Sequence, residues 1–273
     1  MSTAPRSEHQ QAALRALACL DLTSLGDADT VESIEALCNR GLDSRWGVRP
    51  AALCVFPRFA AQVSRRLESS GIATAVVVNF PGGDATAAAV IAETRAALRD
   101  GAREIDVVIP YTRFLAGDTD AVTVLVGAVV ECAEAFPERV LVKAILETGA
   151  LGDISAVRSA AALAVAAGAD FLKTSTGKIP VGCTPESAAA LMEVAARHGT
   201  SSGRVVGVKV SGGVRTVNDA AAYLALVDYH FAPEAASPAN FRIGASALYD
   251  DIVNVLWGGS ADASAGAADG VRY

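Results

Sequence analysis

An α/β barrel of eight parallel strands is what this chain predicts, and three observations carry the expectation. Its 273 residues match the roughly 250 typical of one such barrel. Hydrophobic residues make up 52 % of it, enough to fill a large core. Eight short apolar runs alternate with longer helical stretches, the order of repeated βα units in a parallel sheet. A helix after every strand favours a closed (β/α)₈ barrel, the TIM barrel, over an open sheet.

The elements follow in chain order. A helical stretch around Gln11–Leu17 precedes the first apolar run, Ala18–Leu22. The other runs are Ala52–Phe56, Thr74–Asn79, Glu104–Ile109, Val140–Leu146, Ala169–Lys173, Val205–Val210 and Phe241–Ala245. Asp29 with Glu32 predicts a capping box ahead of the periodic Val31, Ile34, Leu37 and Cys38. Helical patterns span Asp84 to Gly101, Asp153 to Gly168 and Thr216 to His230. Thr184 and Pro185 open a further helix, which Gly199 is expected to close. From Gly258 to Gly270 the sequence is rich in Gly, Ala, Ser and Asp, then ends on Val271-Arg272-Tyr273. No linker divides the chain. The expectation is one domain over 1–273, with a short N-terminal helical extension and a flexible tail over 258–273.

Composition narrows the function. A net charge of -7 argues against nucleic acid and anionic membranes as partners. No run approaches the roughly 18–20 uninterrupted apolar residues of a membrane span. Residues 1–11 are polar and lack the basic-then-apolar order of a signal peptide, so a cytoplasmic location is expected. The five cysteines are dispersed, unpaired in pattern and odd in number, which reads as reduced and buried. Three scattered histidines offer no metal cage, and no metal or other cofactor is expected. The sequence leaves the oligomeric state open, with a homodimer among the options.

The lysines are more informative. Among 23 basic residues only four are lysine: Lys143, Lys173, Lys178 and Lys209. Arginine serves a solvated face equally well but does not give up its proton to become a nucleophile. Three of the four lysines, with Asp106, fall in or at the ends of the fourth to seventh apolar runs. In a barrel those strands converge on one mouth, where catalytic groups sit at strand C-termini. An isolated charge at a strand end usually just reaches water. Three of four lysines in such places are harder to dismiss. Desolvation and a neighbouring ammonium both lower a lysine pKa from its ordinary value near 10.4, which frees an amine for attack on a carbonyl. A carboxylate beside it passes protons.

Glycine-rich turns supply the other half of a site. Ser211-Gly212-Gly213-Val214-Arg215 follows the seventh run and Gly244-Ala245-Ser246 the eighth, where barrels commonly hold phosphate. Thr174-Ser175-Thr176-Gly177-Lys178 follows the sixth run and lacks the leading glycine of a Walker loop.

These strings resemble the deoxyribose-phosphate aldolase family from about residue 16 to 250. The resemblance rests on Leu20-Asp21-Leu22-Thr23, Cys54-Val55-Phe56-Pro57-Arg58-Phe59, Glu104-Ile105-Asp106-Val107-Val108, Lys143 through Glu147-Thr148-Gly149, the Lys173–Gly177 string, Lys209 through Thr216, and Gly244–Ser246. It implies a Schiff-base lyase acting on a sugar phosphate, 2-deoxy-D-ribose 5-phosphate. Lys173 would form the imine, Lys209 would lower its pKa, Asp106 would relay protons through a water, and Lys143 would hold Asp106. Asp21, Thr23 and Thr176 would line the substrate end, and Gly177, Lys178, Gly212, Gly213, Gly244 and Ser246 would hold the phosphate. Tyr273 would assist proton transfer at the carbon next to the imine. Gly26, Val210-Ser211 and Ala247 depart from the family pattern, which commonly has Asn, Pro-Ala and Ser there. The rival expectations are a Schiff-base aldolase of another phosphorylated aldehyde or ketone, and a catalytically silent phosphosugar-binding barrel. A nicotinamide enzyme fits less well, because no Gly-x-Gly-x-x-Gly follows the first strand.

Overall fold

The computed structural model describes residues 6–258. Eight parallel strands pair in sequence order and close on themselves: β1 (Leu20–Thr23), β2 (Ala52–Val55), β3 (Ala73–Val78), β4 (Glu104–Val108), β5 (Leu141–Ile145), β6 (Phe171–Lys173), β7 (Gly207–Ser211) and β8 (Phe241–Ala245). α1 (Glu8–Ala18) precedes β1, and α2 (Val31–Leu42), α3 (Ala60–Arg66), α4 (Ala87–Arg99), α5 (Tyr111–Leu115) and α6 (Asp120–Glu134) follow along the first half. α7 (Thr148–Leu151), α8 (Ile154–Ala166), α9 (Pro185–Ser202), α10 (Val217–His230) and α11 (Leu248–Leu256) complete the ring. All eight expected strands are present. Three start two residues late: β1 begins after α1 has run on to Ala18, β6 begins at Phe171, and β7 begins at Gly207, past the exposed Val205.

Because side chains alternate across a strand, each strand sends one set outward under the helices and the other into the barrel. The outward set, such as Leu20, Leu22, Leu53, Leu172, Val208 and Ile243, packs against the helix ring. The inward set is unusual. Only Ala52 and Cys54 of β2 with Ala75 and Val77 of β3 form an apolar cluster. The other strands bury Asp21, Glu104, Asp106, Lys143, Lys173, Lys209 and Arg242.

Two helix ends differ from expectation. The capping box of α2 is Thr30 with Ser33, whose hydroxyls accept each other's backbone N–H groups at 3.2 and 3.0 Å. Asp29 is occupied elsewhere: its Oδ2 accepts from Ser24 Oγ and the Gly26 N–H, both at 2.9 Å, and ties down the loop after β1. Gly199 lies inside α9. The helix runs to Ser202 and closes on Gly203, whose φ of 75° is the left-handed conformation that favours glycine. The helical pattern that began at Asp84 is α4, capped by Thr86.

Candidate active site

Strand register brings the candidate residues together. Asp106 pairs across from Lys143, and Lys173 from Lys209, so the four side chains share the barrel interior. Lys143 Nζ donates to Asp106 Oδ1 at 2.6 Å. Lys173 and Lys209 both donate to Asp106 Oδ2, at 2.9 and 2.8 Å. One carboxylate thus gathers three amines. Gly244 makes room for this: a Cβ there would lie 2.9 Å from Lys209 Cε, so any side chain would push the amine aside.

Burial and charge separate the three lysines. Burial pushes the Lys173 amine below its ordinary lysine value, Asp106 pulls it back, and the adjacent Lys209 ammonium pushes it down again. Lys209 and Lys143 are equally buried, yet both are held above the usual value. Asp106 and Asp21 outweigh desolvation at Lys209, and Asp106 and Glu104 do so at Lys143. For Asp106, desolvation is overwhelmed by Lys143, Lys173 and Lys209, which keep its carboxyl well below the usual carboxylate range. The result is a low-pKa amine at a point where the other two stay charged.

Access separates the lysines as well. Of the four lysines, Lys173 alone lines the cavity at the barrel mouth, 2 % exposed, while Lys143 and Lys209 are fully buried. Above it the cavity is walled by Thr23, Thr176, Gly177, Ser211, Gly212, Gly213, Val214, Arg215, Gly244, Ser246 and Ala247. These residues come from the C-terminal ends of β1, β7 and β8 and from the loops after β6, β7 and β8. The loops before α10 and α11 bring two helix N-termini towards the same side, an arrangement suited to an anion. Gly212 has a φ of 84° and backs onto Gly182, where a Cβ would lie 2.4 Å from the Gly212 carbonyl oxygen. That close backbone contact fixes the turn.

Two expected residues lie elsewhere. Asp21 is fully buried beneath the cavity, not in its wall. Its Oδ1 accepts from Arg242 at 2.6 Å and its Oδ2 from Lys209 at 2.6 Å. Lys178 is outside the wall, and its Nζ donates to the Leu25 carbonyl at 2.6 Å. Tyr273 lies outside the described residues. Of the family departures, Ser211 and Ala247 line the cavity, whereas Gly26 sits against Asp29.

Comparison with known proteins follows the same line. A family model described as DeoC/LacD family aldolase matches residues 15–250. The chain belongs to the DeoC/LacD aldolase family. It is 45 % identical to a deoxyribose-phosphate aldolase of Agrobacterium fabrum over 251 residues, covering 92 % of this chain and 93 % of that one. A solved structure of a putative deoxyribose-phosphate aldolase from Toxoplasma gondii is similar in fold, with a TM-score of 0.83 at 23 % identity over 92 % of this chain and 96 % of the other. A tetrameric deoxyribose phosphate aldolase from Aeropyrum pernix aligns with a TM-score of 0.72 at 26 % identity, over 91 % of this chain and 97 % of that one.

Within this aldolase fold, several residues were not singled out by sequence. Arg242 and Glu104 are buried beneath the lysines and pair with each other at 2.7 Å. Both are charges inside apolar strands, the signal that picked out the lysines. With 19 arginines in the chain, however, one more carried little weight. Glu147 closes β5 in a left-handed conformation (φ 56°) and accepts hydrogen bonds from the Thr176 hydroxyl and backbone N–H. Burial raises its carboxyl above the usual range. Arg215, quoted only as part of a glycine turn, is a cavity cation.

Proposed function

We propose that this chain is a class I aldolase that reversibly cleaves 2-deoxy-D-ribose 5-phosphate to acetaldehyde and D-glyceraldehyde 3-phosphate through an imine on Lys173. The single observation that carries this reading is the Lys173 amine. It is the lysine at the cavity floor, 2.9 Å from Asp106 and beside a second ammonium that disfavours its protonation.

Lys173 Nζ adds to the C1 aldehyde, and loss of water gives the protonated imine. The C3 hydroxyl then gives up its proton, the C2–C3 bond breaks and its electrons flow into the imine. Glyceraldehyde 3-phosphate leaves and an enamine remains. Protonation at C2 and addition of water release acetaldehyde and the free lysine. Asp106, held ionised by three amines, acts in this reading as the acceptor that orients Lys173 and passes protons on. Lys209 supplies the charge and Lys143 fixes the carboxylate. Thr23 and Thr176 meet substrate hydroxyls, while Gly177, Gly212, Gly213, Gly244 and Ser246, with Lys178 and Arg215, favour the 5-phosphate. Asp21 belongs beneath this set, acting through Lys209. Tyr273 is proposed as the proton donor to C2. Tyr273→Phe is expected to leave imine formation intact and slow deuterium exchange into acetaldehyde by about 10²-fold.

The chain is proposed to act as one domain over 1–273, and the expected tail from 259 onward lies outside the described residues. Its five cysteines are all free thiols, which suits the reducing cytoplasm. No described helix is long and apolar enough to cross a membrane. Self-association as a homodimer is part of the proposal, and light scattering reads it directly.

Borohydride reduction in the presence of acetaldehyde tests the central claim. An ethyl group mapped by mass spectrometry to Lys173 is the expected result. A label on Lys209 or Lys143 would reassign the nucleophile, and no label would sink the aldolase reading. A panel of phosphorylated aldehydes and ketones then distinguishes the named substrate from its relatives.

A further inference from the structure

The charged groups below Lys173 form a closed circuit. Arg242 bonds Asp21 at 2.6 Å, Asp21 bonds Lys209 at 2.6 Å, and Lys209 bonds Asp106 at 2.8 Å. Asp106 bonds Lys143 at 2.6 Å, Lys143 bonds Glu104 at 2.6 Å, and Glu104 returns to Arg242 at 2.7 Å. Around this circuit each cation joins two carboxylates and each carboxylate two cations, and Lys143 braces it from within through a longer contact to Asp21 at 3.4 Å. The ring draws on β1, β4, β5, β7 and β8, and its charges cancel. Lys173 is the seventh member. It hangs from Asp106 Oδ2 and, among the described residues, bonds no second carboxylate.

We propose that Arg242 and Glu104 are positioning residues that complete a charge-neutral ring, so that a proton on Lys173 would be the one uncompensated charge in a dry interior. The ring is buried throughout, so solvent screens it little, and the net charge of the set is felt by its pendant member. Removing Arg242 leaves the ring one positive charge short of balance, which a protonated Lys173 then supplies. Removing the Glu104 charge leaves an excess positive charge and disfavours that proton further. Neither residue lines the cavity, so neither effect passes through substrate contact.

The other groups facing Lys173 lie outside the ring and stay the same in every variant of it. β2 contributes Cys54, whose thiol burial pushes up and keeps neutral, and β3 contributes Ala75 and Val77. Glu147, above β5, faces Lys173 from outside the ring; burial raises its carboxyl, Thr176 engages it, and neither Arg242 nor Glu104 touches it. Cys19, behind Arg242, is pushed up to about 12 by burial and stays neutral as well. Phe171 reinforces the placement. The Arg242 guanidinium lies 5.5 Å from its ring centroid, and the ring occupies the space left by Gly207, where a Cβ would come within 2.2 Å.

The test is a set of variants whose effects differ in sign, read as the pH dependence of kcat/KM and of borohydride trapping in the full-length chain. It rests on Lys173 being the imine-forming residue. Arg242→Gln should move the acid limb to higher pH by about one unit or more, and Glu104→Gln should move it to lower pH. The double variant is neutral again and should return the limb towards its original position. Arg242→Lys, which keeps the charge, should leave it in place. If Arg242→Gln does not fold, Glu104→Gln and the double variant still decide the matter. Shifts of the same sign in the two single variants, or a double variant that sums two losses with no return, would overturn the proposal. Failure to trap Lys173 in the unaltered protein would sink the aldolase reading instead. Trapping that persists without opposite shifts would remove only the ring.

Discussion

Below Lys173, Lys143, Lys209 and Arg242 each meet two of the three carboxylates Asp21, Glu104 and Asp106, at 2.6–3.0 Å. Above it, the Ser246 hydroxyl in the cavity wall is buried with no hydrogen-bond partner among the described residues. The lower region is set on strands whose register fixes the distances. The upper one is made of loops and glycine turns that hold unused hydrogen-bonding capacity. Buried polar groups are nearly always paired within a folded chain, so an unpaired hydroxyl in a cavity wall is placed to meet an external partner. Under the proposed function the difference becomes a division of labour, with strands tuning an amine and loops recognising what it attacks.

Variants that act in only one region sharpen that division. The largest expected effect is at Lys209. Lys209→Leu removes the ammonium that disfavours protonation of Lys173 and frees carboxylate charge beside it, so the Lys173 pKa rises. Activity needs the free amine, so it is retained above the raised pKa and lost below it. A fall of about 10- to 10³-fold at pH 7 is expected, recovering as pH rises, with Lys209→Arg largely sparing it. A pH–rate profile that keeps its shape in Lys209→Leu breaks the comparison at its lower half.

At the mouth the effects are smaller and selective. Arg215→Ala and Lys178→Ala should each lower kcat/KM for the 5-phosphate by about tenfold or more, the scale of one charged hydrogen bond, and leave unphosphorylated 2-deoxyribose nearly unchanged. Lys178 is the sharper case, because it donates to the Leu25 carbonyl and stands outside the cavity wall. Equal losses on both substrates would mark it as a support of the loop after β1. Ser246→Ala, which deletes an unpaired hydroxyl, should weaken phosphate binding without lowering the melting temperature.

Gly207→Ala gives the smallest effect on chemistry and the clearest one on stability. Its Cβ would press on the Phe171 ring at 2.2 Å, and overpacking of this kind costs about 1–3 kcal/mol. A lowered melting temperature with the acid limb of kcat/KM in place is expected. If the limb moves, Phe171 and the Arg242 beside it are coupled to Lys173 more tightly than packing alone requires.

The sequence was legible where residue type and spacing both carry information. Lysine is scarce in this chain, so Lys143, Lys173 and Lys209 stood out, and register then brought all three to Asp106. Strand count was legible because apolar runs of this kind have few alternatives. Helix ends were less so: Asp29 and Thr30 are both good caps, and only the competing hydrogen bonds to Ser24 and Gly26 show why Thr30 takes the role. Gly199 and Gly203 are equally plausible stops until one is seen to hold a positive φ. Arg242 was hidden by the abundance of arginine, and Asp21 by a motif that gives a residue's identity without saying whether it faces the cavity or the ring below. Glu147 was hidden because neither burial nor a left-handed backbone is written in the residue type.

The pairing of Lys173 with Lys209 across adjacent strands has a practical consequence for redesign. Two backbones joined by a ladder of hydrogen bonds keep their spacing when the connections at their ends are exchanged. The loops after β6, β7 and β8 are therefore natural places to graft new acceptor preferences. A library varied only there can be screened for new aldol products while acetaldehyde labelling of Lys173 serves as a constant internal check that the reactive amine has survived.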